Sequence, residues 1–135
     1  MRAIMADNDI QGQMRVVVLL LNSAGWRDLW LSLNLAVRTF ADLSLDSDVP
    51  DAELWHACQR EGIVLITGNR NKESPDSLEA TIEICNVPTS LPVFTLSDPN
   101  RILRSREYAN KVVEKLLQYL MEFDNVRGSG RVWLP

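Results

Sequence analysis

Acidic and amide side chains follow the apolar runs of this sequence. Ala3-Ile4-Met5-Ala6 stops at Asp7-Asn8-Asp9, and Leu35-Ala36-Val37-Arg38-Thr39 is followed by Asp42. Ile63-Val64-Leu65-Ile66 leads into Thr67, Asn69 and Asn71, and Pro92-Val93-Phe94-Thr95-Leu96 into Asp98. Asp51 and Asp76 stand at the first residues of two expected helices. Carboxylates that face one another raise each other's pKa. A divalent cation offsets that repulsion, and oxygen-rich sets suit Mg²⁺ or Mn²⁺. Such an ion can make hydroxide from bound water and stabilise a phosphate under in-line attack, so these residues point to phosphodiester hydrolysis.

Plainer roles compete for the same side chains. Asp51 and Asp76 suit helix capping. Asp7 has no cap to make and is otherwise a solvated loop charge. Asn69 and Asn71, beside Gly68, suit a turn with positive φ. His56 has no partner at ligand spacing and receives no role. Arg70, Lys72, Arg101, Arg104 and Arg106 either meet phosphate or are solvated charge. Trp26, Trp30, Trp55 and Trp133 read first as core or subunit-contact residues and only second as a base-stacking platform, with Trp133 the best interface candidate.

The elements that must position these residues are legible in the apolar spacing. Ala3–Ala6 reads as a first strand. Met14, Val17, Val18 and Leu21 fall on one face of a helix, and Trp26, Leu29, Trp30 and Leu33 on one face of a second. A second strand, a loop from Ser44 to Pro50, and a helix from Asp51 to its stop at Gly62 come next. Ile63–Ile66 is a fully buried strand. Ser74-Pro75-Asp76 opens a helix that runs to about Cys85. After the Pro92–Leu96 strand, Asp98-Pro99 opens a short turn and Ser105 caps a long final helix bearing Ala109, Val112, Val113, Leu116, Leu117, Leu120 and Met121 on one face. Val132-Trp133-Leu134 reads as a terminal edge strand. Strands alternating with helices predict a three-layer α/β/α sandwich with a mainly parallel sheet of four or five strands.

The 135 residues, 46% of them hydrophobic, suit one domain over 1–135 with a substantial core. A net charge of −4 argues against a broad basic surface for nucleic acid, so an RNA partner would be met locally. Cys58 and Cys85 read as reduced core thiols of a cytoplasmic protein. The longest apolar run, Val16 to Leu21, is too short to span a bilayer, and no membrane association is expected.

The order Ala6-Asp7-Asn8-Asp9, Arg38-Thr39-Phe40-Ala41-Asp42-Leu43, Pro50-Asp51-Ala52-Glu53-Leu54 and Val64-Leu65-Ile66-Thr67-Gly68-Asn69 resembles the PIN-like domains, in particular small bacterial ones related to toxin ribonucleases. The likeness covers roughly the first 80 residues. It implies an Mg²⁺- or Mn²⁺-dependent ribonuclease in which Asp7 and Asp51 are catalytic metal ligands; the candidate partners are RNA, a protein partner and a second copy of the chain. The family's third acid, two residues beyond a threonine, is Asn69 here. An amide can ligate a hard cation but brings no charge and cannot act as a base. Asp76, with Glu79 one turn later, is the candidate that restores the charge, and Asp9, Asp42, Thr67 and Asn71 are secondary candidates. The alternative is a degenerate PIN-like domain that binds a partner without cutting.

Overall fold

The computed structural model describes residues 1–70, 75 and 77–135. They form five strands, β1 (Ala3–Ala6), β2 (Ala36–Arg38), β3 (Ile63–Thr67), β4 (Val93–Leu96) and β5 (Arg131–Leu134). Six α-helices join them: α1 (Gln11–Leu21), α2 (Arg27–Ser32), α3 (Asp51–Glu61), α4 (Leu78–Cys85), α5 (Pro99–Arg104) and α6 (Arg106–Met121). The strands make one sheet in the order β2-β1-β3-β4-β5, with every pairing parallel.

Alternation along each strand sends side chains to opposite faces. Ile4, Ala6, Val64, Ile66, Phe94, Leu96, Val132 and Leu134 meet α1, α2, α5 and α6 on one face. Ala3, Met5, Ile63, Leu65 and Val93 meet α3 and α4 on the other. The result is the expected three-layer α/β/α arrangement, more uniformly parallel than predicted.

Local chemistry fixes the helix ends. Gly62 adopts φ 72° and stops α3, where the missing Cβ spares a left-handed residue its steric penalty. The Ser105 hydroxyl accepts from the Tyr108 amide and caps α6, as its position predicts. Three boundaries differ from expectation. α4 begins at Leu78 with Ser77 as its cap. The Asp98-Pro99 turn extends into the short helix α5, which the sequence hardly marks because Ile102 is its one buried residue. Finally, α3 is preceded by Pro50, and Asp51 makes no capping bond within it.

The crossovers are not all alike. β1 to β2 moves one way along the sheet over the α1 face. β2 to β3 and β3 to β4 move the other way over the α3–α4 face, so these three share a hand. β4 to β5 continues in that second direction, but α5 and α6 lie on the α1 face, which gives it the opposite hand. Right-handed crossovers are the rule because strand twist and helix handedness favour them, so the last is the left-handed exception. It leaves β5 without a helix of its own on the α3–α4 side.

Candidate active site at the sheet switch point

The chain leaves β1 in one direction and returns to β3 on its other side. In open parallel sheets ligands bind in such a crevice, beyond the carboxyl ends of the two strands. Ala6 pairs with Ile66, so Asp7 and Thr67 continue the same register on the α3–α4 face. The Thr67 hydroxyl donates to Asp7 Oδ2 at 2.8 Å, and the Asn8 amide donates to Asp7 Oδ1 at 2.7 Å. Asp7 therefore does have a cap to make: it begins the 3-10 turn Asn8–Ile10 that leads into α1. The Asn69 amide N–H donates to Thr67 Oγ1 at 2.9 Å, so one hydroxyl links the loop after β3 to the acid at the end of β1.

α3 runs antiparallel to the strands and delivers Asp51 to the same rim. Its Oδ2 accepts from Asn69 Nδ2 at 2.9 Å and from the Leu78 amide at 3.3 Å. Asp51 thus ties α3 to the β3 loop and to the start of α4, a role that its capping position had hidden. Asn69 does not adopt positive φ, so the turn-former reading fails for it. Asp7, Asn8, Asp9, Ser47, Asp48, Val49, Asp51 and Asn69 line a cleft of about 380 Å³.

Electrostatics in this cleft follow from burial and like charge. Asp7 is buried, and desolvation pushes its carboxyl above the usual carboxylate value. The bonds from Thr67 and Asn8 pull it down, and the Asp51 charge pushes it up. Asp9 is raised as well, first by partial desolvation, then by Asp7, while the Gly68 amide lowers it. The space around Gly68 is tight. A Cβ there would stand 3.0 Å from Asp9 Oδ2 and 3.2 Å from both Ile10 and Pro99. Below the cleft, burial and then the Asp7 charge push the Cys58 thiol up to about 12, so it stays neutral at physiological pH.

The remaining sequence candidates divide. Asp42 lies outside the cleft: its carboxylate accepts from the Thr39 amide at 2.9 Å and its own amide donates to Thr39 Oγ1 at 3.3 Å, closing a local turn. It lines a separate hollow with Arg38 and Arg60. Asp76 and Asn71 lie outside the described residues, as does Lys72. Glu79 does not replace the missing acid, because it pairs with Arg131: Nη2 stands 2.9 Å and Nε 3.0 Å from Glu79 Oε2. Among the described residues, no three His, Cys, Asp or Glu side chains converge as a metal-ligating group.

Arg131 is the residue that sequence reasoning missed. From β5 it crosses the face of β4, donating to Thr95 Oγ1 at 2.6 Å and to the Asn69 carbonyl at 3.0 Å. It thereby holds the loop whose side chain reaches Asp51. An arginine in an otherwise apolar strand was the available signal, but its partners are 36, 52 and 62 residues away.

Comparison of the chain with models of known families, with curated proteins and with solved structures found no match. Fold and site define an α/β domain with an acidic cleft at the sheet switch point. No helix among the described residues is long and apolar enough to cross a membrane.

Proposed function

We propose that the cleft is the active site of a PIN-like, Mg²⁺- or Mn²⁺-dependent ribonuclease. The observation that carries this reading is that Asp7, Asp9 and Asp51 line one cleft at the strand ends, where burial first and neighbouring carboxylate charge second raise Asp7 and Asp9. The donor chemistry fits a hydrated hard cation better than a caged one. Asp7 and Asp51 supply carboxylate oxygens that retain lone pairs beyond their present bonds, and Mg²⁺ commonly takes one or two carboxylates plus water. When bound, the ion would stabilise phosphate charge and lower the pKa of a bound water. The chain's own residues orient the site. Thr67 and the Asn8 amide fix the Asp7 carboxylate, and Asn69 and the Leu78 amide fix Asp51.

RNA cleavage in Mn²⁺ tests this reading. Asp7→Ala is expected to lower the rate more than about 100-fold, beyond what is usual for losing a residue that merely supports a ligand. Equal cleavage by the variant and the wild type refutes the assignment.

The second reading is a non-cleaving, binding domain of the same type. It is favoured by the Asn69–Asp51 hydrogen bond, in which an amide stands where the resembling family carries an acid and itself partly offsets the Asp51 charge. Asn69→Asp separates the two. In the binding-domain reading it creates Mn²⁺-dependent thermal stabilisation that the wild type lacks, whereas a wild type already stabilised by Mn²⁺ supports the nuclease.

A further inference from the structure

The left-handed last crossover leaves the α3–α4 side of β5 open, and Trp133 occupies it, 48% exposed. Trp30 and Trp55 are buried, so this exposed indole contrasts with them. Two guanidiniums attend it, with Arg70 5.4 Å and Arg131 5.8 Å from the ring centroid. Arg131 is neutralised by Glu79. Arg70 makes no ion pair among the described residues; it donates to the Ser97 carbonyl and keeps further N–H groups for an anion.

Arg70 directly follows Asn69, whose side chain holds Asp51 in the cleft. β5 lies two strands beyond β3, so the indole is displaced laterally from the cleft by roughly 10 Å along the carboxyl rim of the sheet. A polyanion approaching the acidic cleft of a chain with net charge −4 is repelled unless a cation beside the cleft receives it. Arg70 is that cation, and the indole beside it offers a π-face that any base can stack on.

We propose that Trp133 and Arg70 form a subsite for single-stranded RNA, with Trp133 stacking an unpaired base that flanks the cleft and Arg70 taking an adjoining phosphate. The inference deepens the RNA-processing reading and rests on it. An aromatic–guanidinium pair reads no particular base, so the subsite favours unpaired RNA over duplex without sequence preference.

The test is fluorescence anisotropy with a labelled single-stranded RNA oligonucleotide of mixed sequence, at low salt and with EDTA so that binding is read without cleavage. Trp133→Ala is expected to weaken binding about tenfold, Trp133→Phe to bind nearly as the wild type does, and duplex RNA to bind more weakly. Arg70→Ala is expected to reduce the slope of affinity against salt by about one phosphate contact. Wild-type affinity in Trp133→Ala, or no RNA binding by the wild type, overturns the subsite. So does a wild-type dimer that Trp133→Ala converts to monomer in sedimentation, since a second copy then covers this face. Cleavage is scored separately. Trp133-dependent binding without Mn²⁺ cleavage retires the nuclease and keeps the subsite, whereas cleavage with Trp133-independent binding does the reverse.

Discussion

The acid cleft and the basic-aromatic edge share one rim of the sheet but are held by different means. Asp7 directly follows β1 and Thr67 ends the adjacent strand β3, and short side chains join them at 2.8 Å. At the edge, long side chains reach across the sheet, and the single side chain of Arg131 bonds to β4, α4 and the β3 loop at once. Short groups on central strands owe their position to backbone register. Long groups on an edge strand owe it to their bonds, and disturbing one bond disturbs several elements.

The largest expected effect is therefore at the edge. Arg131→Ala leaves Glu79 without its partner and is expected to destabilise the protein by about 3 kcal/mol in denaturant unfolding. A loss below about 1 kcal/mol would mean that Arg131 is not the organiser described above. Arg131→Met, which keeps the aliphatic stem, should recover part of the loss.

Thr67→Val tests the cleft. It removes the donor to Asp7 and the acceptor for the Asn69 amide at a fully buried position, with an expected loss of about 2 kcal/mol. The double variant sharpens the comparison. Both residues hold the Asn69 segment, so the two losses should fail to add by about 0.5 kcal/mol or more. Strict additivity would make cleft and edge independent.

The smallest expected effect is electrostatic and depends on pH. Asp7 has its pKa raised on folding, so its contribution is fully present below the ordinary value of 3.8 and is lost as pH rises through the raised value. Asp7→Asn removes that loss. Its melting temperature should exceed the wild type's at pH 7 without divalent cation, and the difference should shrink as pH falls through the raised value toward 3.8. Were the gap constant across pH, burial of charge at Asp7 would not be its source.

Much of the fold was legible because apolar period follows geometry. The spacing along α6 and the buried run of β3 leave few alternatives, and the end of β1 and the start of α3 carried Asp7 and Asp51 to one cleft. What stayed hidden depended on approach through space. Asp51 sits where a cap would be, and only the folded chain brings Asn69 and Leu78 to it. Glu79 is on a helix near the cleft in sequence, yet Arg131, 52 residues on, claims it. Asp42 follows a strand as the others do, but a local turn with Thr39 curls it away.

The edge position of β5 also bears on time. β5 pairs with β4 alone, whereas β1 and β3 are each flanked by two strands, and elements with fewer neighbours open more readily than central ones. The Ser97 amide, bonded to the Leu134 carbonyl at 3.1 Å, should then exchange its hydrogen sooner than the Asp7 amide, bonded to Ile66 at 2.8 Å. Each opening of β5 releases the Asn69 carbonyl from Arg131 while Asp7 keeps its place beside Thr67. The acid is a permanent fixture of the rim, whereas the Asn69 loop beside it loses one of its anchors, the bond to its carbonyl, whenever the last strand opens.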